Sequence, residues 1–200
     1  MMEIFVIRHT KVNIENNICY GSMEVPLREG YIEKAKIFQN NLPSQIDKIF
    51  SSPSQRCTDL LDSLNLQYTK EKSLTELHFG DWEGKHWDEI EKSDLDFWMQ
   101  DYVHRSPKNG EKMIELNLRV MNFITKISKY NFKKILVVTH SGVIRCLLSN
   151  ALNISLNNIF DIDVKYDEIY RFSIMDSDQI NLRFEDKKNT LTQNILKKIN

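Results

Sequence analysis

Apolar residues fall along this chain in short continuous runs that alternate with stretches stepping by three and four. Glu3 to Ile7 is an apolar run of β-favouring residues that stops abruptly at Arg8-His9, as a buried strand ends at the edge of a sheet. Tyr31, Ala35, Phe38 and Leu42 recur at helical spacing within Arg28 to Leu42, and a second apolar run, Lys48 to Phe50, ends in Ser51-Ser52-Pro53. Strand, helix and strand follow in order.

Ser52 followed by Pro53 reads as an N-cap and first helical position, after which Cys57, Leu60, Leu61 and Leu64 line one face. From Glu111 the residues Met113, Leu116, Val120, Ile124 and Ile127 form the longest clean amphipathic stripe, which must cover a sheet. Lys134 to Thr139 holds Ile135-Leu136-Val137-Val138, a buried strand, and Gly142 to Leu152 continues as a helix with Val143, Leu147 and Leu148 inward. Ile169 to Met175 and Gln179 to Glu185 flank Asp176-Ser177-Asp178 as a hairpin, and the last fifteen residues read as a surface tail or terminal helix. Between Leu77 and Asn109 the pattern is irregular and aromatic, with Phe79, Trp82, Trp87, Phe97, Trp98 and Tyr102 among charges, and reads as a lid over the sheet. The expected architecture is α/β, three layers, with helices on both faces of a mostly parallel sheet and an antiparallel edge. No repeat, linker or low-complexity segment divides it, so residues 1–200 are expected to form one domain carrying the 77–109 insertion.

Composition narrows the function. The 200 residues include 27 Lys and Arg against 28 Asp and Glu, a net charge of −1, which gives no electrostatic reason to bind nucleic acid or a membrane surface. The expected partner is a small molecule. Cys19, Cys57 and Cys146 are odd in number and lack CxxC spacing, which argues against a disulfide framework and a zinc knuckle. The first residues carry no basic segment followed by a long apolar one, so a cytoplasmic protein is expected.

Ligands of open α/β sheets bind beyond the carboxyl ends of the strands. Here three strands end in reactive residues: Arg8-His9-Thr10, Ser51-Ser52-Pro53 running on to Arg56, and Thr139-His140-Ser141-Gly142. Any one Arg or His in such a place is ordinarily structural. Two of each on a single rim, beside helix starts, make a site for a phosphate dianion, because guanidinium forks match its oxygens and helix amides add partial positive charge.

Those blocks, with Leu74-Thr75-Glu76-Leu77-His78-Phe79-Gly80-Asp81-Trp82-Glu83-Gly84, resemble the histidine phosphatase superfamily, also known by its phosphoglycerate mutase-like fold, and occur in the family's order. The resemblance implies double displacement through a phosphohistidine, with no metal or cofactor. His9 would be the nucleophile, Arg8, Arg56 and His140 would hold the phosphoryl oxygens, and Glu76 would be the general acid and base. Glu83 and Asp81 are alternative acids, and Ser141 could offer its hydroxyl or its N–H to the phosphate.

Chain length favours the phosphatase branch over the mutases. Cys19 to Leu27, Phe97-Trp98 and Pro107 to Glu111 resemble the α-ribazole phosphatase group, which makes a ribazole phosphate the expected substrate, with a broad-specificity phosphatase or phosphoglycerate mutase as alternatives. Two positions depart from the pattern: Thr10 stands where many members have Gly, and Glu15 falls where many have an Asn contact to phosphate, with Asn13, Asn16 and Asn17 nearby. The aromatic segment could stack on a planar base or pack a small core of its own. Two other classes compete: a serine hydrolase using Ser141 in a nucleophile-elbow-like turn, and a non-enzymatic phosphate-binding module. The first lacks the usual Gly two residues before the serine, where Thr139 stands, and the second leaves His9 and Glu76 without purpose.

Overall fold

Ile135-Leu136-Val137-Val138 is apolar at every position because the strand that contains it, Lys134–Thr139, is covered on both sides. The structure, a computed structural model, describes residues 1–175, 181–186 and 192. Among them, β1 (Met2–Arg8), β2 (Lys48–Ser51), β3 (Thr69–Lys70), β4 (Lys134–Thr139), β5 (Ile169–Ile174) and β6 (Leu182–Phe184) make a sheet in the order β3-β2-β4-β1-β5-β6. The first four of these are mutually parallel, while β5 runs antiparallel to β1 and β6 antiparallel to β5.

Register decides which side chain serves which layer, because successive residues of a strand face opposite ways. Ile4 and Val6 of β1 lie opposite Ile135 and Val137 of β4, and all four pack into one core with α4 (Met113–Ser128) and α5 (Ser141–Leu152). Phe5 and Ile7 lie opposite Leu136 and Val138 and pack into a second core with α1 (Tyr31–Asn41) and α2 (Gln55–Asp62). The result is the expected three-layer α/β arrangement. On α4 the stripe buries Met113, Leu116, Val120, Ile124 and Ile127 as anticipated, and Phe123 with them.

Several expectations are corrected. Helix α2 starts two residues later than the Ser52-Pro53 signal suggests: Ser54 is its N-cap, and Ser52 is free for another role. The 77–109 segment is not irregular throughout, since it contains 3-10 turns at Gly80–Trp82 and Trp87–Glu89 and a helix, α3 (Lys92–Gln100). Phe97 and Met99 of α3 are exposed while Trp98 is buried, so apolar residues on both faces of the helix obscure its period. Trp82, Ile90 and Trp98 close on Cys19 to give the segment a small core of its own. The two strands of the C-terminal hairpin pair as expected, but Asp176-Ser177-Asp178 lies outside the described residues, as does most of the tail. Among the described residues no helix is long and apolar enough to cross a membrane.

Candidate active site

Strands β1, β2 and β4 end at one rim. There Arg8, His9, Arg56, Glu76, Ser141 and Gly142 line an open cleft of about 170 Å³. Its apolar wall includes Ile18 and the rings of Phe79, Trp87 and Phe160.

His9 follows β1 directly and is buried, its backbone N–H donating to the Thr139 carbonyl at 2.9 Å. The ring nitrogen Nδ1 lies 2.7 Å from the Thr10 carbonyl, which can only accept, so Nδ1 carries the hydrogen. The neutral ring's lone pair therefore sits on Nε2. Burial, with the adjacent Arg56 and Arg8 guanidinium groups, holds the His9 pKa well below its ordinary 6.5 and keeps the ring uncharged.

Arg56, in the first turn of α2, has no solvent exposure, yet no carboxylate pairs with it among the described residues. It donates from Nη1 to the Met23 carbonyl and from Nη2 to the Gly21 carbonyl, both at 2.7 Å, and from Nε to Nδ1 of His140 at 3.2 Å. Two of its five N–H groups remain available. Arg8 is braced from the opposite side. Its Nη1 donates to the Val164 carbonyl at 2.9 Å, its Nη2 to the Tyr166 hydroxyl at 3.0 Å, and its guanidinium stacks 3.7 Å from the Tyr166 ring centre. The Arg8 Nε is buried without a partner among the described residues. Tyr166 also meets Tyr20, whose hydroxyl burial pushes up to about 12.

His140, the N-cap of α5, is fully buried with its ring centre 5.1 Å from that of His9. Because Nδ1 accepts from Arg56, Nε2 carries the hydrogen and donates to Ser52 Oγ at 2.7 Å. Neither ring nitrogen is free for an oxyanion in this arrangement. Burial and the neighbouring Arg56 lower the His140 pKa as well, so the two histidines stand side by side as neutral rings.

Glu76 enters from the loop after the 3-10 turn Lys72–Leu74. Its carboxylate accepts from the Gly142 N–H at 3.0 Å, from the Ser141 hydroxyl at 3.1 Å and from the Leu77 N–H at 2.9 Å, which seats it on the N-terminus of α5. Gly142 permits the approach, since a Cβ there would come within 2.2 Å of Glu76 Oε1. Arg119 of α4 pins the loop from behind, donating to the carbonyls of Ser73, Thr75 and Glu76 while forking onto Glu111.

The alternatives from the sequence lie elsewhere. Glu83 accepts from the N–H groups of Ser22 and Phe79 and staples two loops together, and Asp81 bonds Asn109 on the surface. Asn13, Glu15, Asn16 and Asn17 are exposed and outside the cleft, which that segment lines with Ile18, Cys19, Tyr20 and Gly21 instead. Ser141 donates to Glu76, and with both nitrogens of His140 engaged by Arg56 and Ser52, no serine and histidine pair of the hydrolase kind is formed. Three residues escaped the sequence reading: Arg119, Tyr166 and Arg145, the last a lone arginine in the apolar run of α5. That isolation was the available signal.

Neutral imidazole beside two guanidinium groups, facing a carboxylate seated on a helix start, is an arrangement for phosphoryl chemistry. Comparison with known proteins agrees. Residues 4–187 match the model of the histidine phosphatase superfamily, branch 1. The chain is 30% identical over 162 residues to the adenosylcobalamin/alpha-ribazole phosphatase of Escherichia coli, covering 76% of this chain and 79% of that one. The crystal structure of the alpha-ribazole phosphatase from Shigella flexneri superposes with a TM-score of 0.80 at 24% identity, over 92% of this chain and 95% of the other. A mycobacterial glucosyl-3-phosphoglycerate phosphatase superposes with a TM-score of 0.79 at 18% identity, over 92% and 97%. A match over nearly the whole length, on a fold with this site at its strand ends, means that the chain belongs to the histidine phosphatase superfamily and is a phosphatase.

Proposed function

We propose that the protein hydrolyses phosphomonoesters in two steps through a phosphohistidine on His9. The observation that carries this reading is the bond from His9 Nδ1–H to the Thr10 carbonyl, which leaves Nε2 as the lone pair of a neutral ring in the cleft. In the first step Nε2 attacks phosphorus, the bond from phosphorus to the ester oxygen breaks, and Glu76 in its acid form protonates the leaving alkoxide. The ring becomes cationic, and its Nδ1–H to carbonyl bond strengthens with that charge. In the second step water attacks phosphorus, Glu76 as carboxylate takes the water's proton, the bond from phosphorus to nitrogen breaks, and inorganic phosphate leaves. Arg8 and Arg56 hold the phosphoryl oxygens with the N–H groups left free by their braces, including the unpartnered Nε of Arg8. His140 serves the same anion by fixing the Arg56 fork. With two guanidinium groups beside the phosphoryl group, the charge spreading over its oxygens is met by the chain itself and the step is metal-independent.

For substrate we propose α-ribazole 5′-phosphate. The cleft wall of Ile18, Phe79, Trp87 and Phe160 offers apolar and aromatic surface to a flat benzimidazole base, and curated relatives bear that activity in their names. The test is a comparison of kcat/KM over α-ribazole phosphate, mononucleotides, phosphoglycerates, sugar phosphates and p-nitrophenyl phosphate, with quenched reactions assayed for acid-labile phosphoenzyme. A highest kcat/KM for α-ribazole phosphate and label lost in His9→Ala are expected. Equal turnover of the whole panel makes the enzyme a broad-specificity phosphatase, and an acid-stable adduct removes the phosphohistidine.

A further inference from the structure

A second pocket, of about 280 Å³, opens beside the start of α1 and shares no lining residue with the cleft. Thr10 lines it and is only 4% exposed, yet its hydroxyl oxygen is buried with no hydrogen-bond partner among the described residues. Buried hydroxyls are ordinarily satisfied, and a missing partner marks the place of a water, an ion or a ligand. This is also the position at which many family members have Gly, which brings no hydroxyl. Lys11 and Arg28 stand on the same pocket, joined where the Arg28 N–H donates to the Lys11 carbonyl at 2.9 Å. Arg28 Nε donates to the Val12 carbonyl at 3.1 Å, which fixes the guanidinium and leaves both terminal nitrogens without an acceptor among the described residues.

Three cations, Lys11, Arg28 and Lys34, meet two carboxylates, Glu29 and Asp167, around this pocket. Lys34 and Asp167 answer each other at 3.3 Å, so two cations remain against one carboxylate. Helix α1 begins at the same place: its N-cap, Gly30 at φ +80°, has no side chain to offer, and the N–H groups of the first turn carry no side-chain cap. Uncapped helix N–H groups and a guanidinium with its fork free suit a small tetrahedral oxyanion. We propose that this pocket is a second oxyanion site, apart from the catalytic cleft, which takes inorganic phosphate between the Thr10 hydroxyl, the Arg28 fork and the start of α1. The site adjoins the nucleophile through Thr10, whose carbonyl accepts from His9 Nδ1. Its occupancy does not depend on the reaction assigned to His9.

The test is a titration of the ¹⁵N-labelled protein with sodium phosphate, followed by amide correlation spectra at constant ionic strength, with chloride as the control. The amides of Tyr31, Ile32 and Glu33 should shift and saturate with phosphate and stay still with chloride, while those of Leu77 and Gly142 report the cleft separately. Arg28→Gln should weaken the response at α1 by about tenfold or more, and Thr10→Val by about fivefold, with the Gly142 response unchanged in Arg28→Gln. Thr10→Val should not lower the melting temperature of the phosphate-free protein, since the hydroxyl has no bond to lose. Shifts at α1 that do not saturate, or that chloride reproduces, mean an adventitious ion only and overturn the proposal. So does a response at α1 that merely follows the Gly142 curve, or that keeps its wild-type affinity in either variant. The wild-type titration decides the matter even where a variant fails to fold. A silent Gly142 beside a saturating α1 removes the catalytic phosphate floor and leaves this site standing.

Discussion

His9 and His140 face one another across 5.1 Å between ring centres, and both are uncharged because each is buried next to Arg56. The first keeps a lone pair on Nε2, while the second uses both nitrogens to hold its neighbours. Burial, reinforced by one arginine that both rings share, thus sets the protonation of the pair.

The consequence for pH follows by sign. Both histidines have folded-state values below the unfolded 6.5, so between those values the unfolded chain binds protons that the folded chain refuses. Stability is complete above pH 6.5 and falls as pH drops below it, by up to about 1.4 kcal/mol per pH unit for each histidine. Urea midpoints measured from pH 7.5 to 5 should show this, and His9→Asn should remove its share of the slope. The acid limb of kcat/KM should likewise lie below 6.5, and a midpoint at or above 6.5 would contradict a neutral His9.

Glu76→Gln keeps the shape of the side chain but cannot give up a proton. It should slow alkyl phosphates far more than p-nitrophenyl phosphate, whose leaving group needs no acid, by about 10²-fold or more on the former. Equal slowing of both would remove Glu76 from the acid role.

Gly142→Ala places a methyl 2.2 Å from Glu76 Oε1 and 3.2 Å from Leu116 Cδ2. The nearer obstacle is the end of a side chain, so the carboxylate shifts and the fold survives. We expect kcat to fall by about tenfold or more with far-ultraviolet circular dichroism unchanged. Unaltered kcat would mean that the seat on α5 does not matter.

Arg119→Ala removes the guanidinium that ties the carbonyls of Ser73, Thr75 and Glu76 to α4 and leaves Glu111 without its fork. A loss of about 2–3 kcal/mol is expected from the broken, largely buried pair. Since the tie includes the Glu76 carbonyl, kcat should fall more than KM rises. Arg119→Lys should recover stability only in part, because one ammonium cannot fork.

What was legible in the sequence, and what was not, divides along burial. β1 and β4 are covered on both faces and so are apolar at nearly every position, which is why their ends could be placed. β3 consists of Thr69 and Lys70, both exposed, and carries no apolar signal. Ser52 looks like a cap because it precedes Pro53, yet its hydroxyl is taken by His140, the N-cap of α5, 88 residues away in sequence, a pairing that local pattern cannot express. His9, Arg56 and Glu76 were found through short motifs at strand and loop ends. Arg119 and Tyr166 matter through what they brace, and bracing is visible only when the elements are assembled.

The cluster of Trp82, Ile90, Trp98 and Cys19 is separate from the two cores that sandwich the sheet. The wall of the cleft thus has a foundation of its own, joined to the core beneath the floor through Phe79 and Tyr102. Mutations confined to the small cluster reshape the wall and leave the packing under the floor in place, which gives evolution a way to exchange one alcohol for another while the proposed bond-breaking residues are inherited.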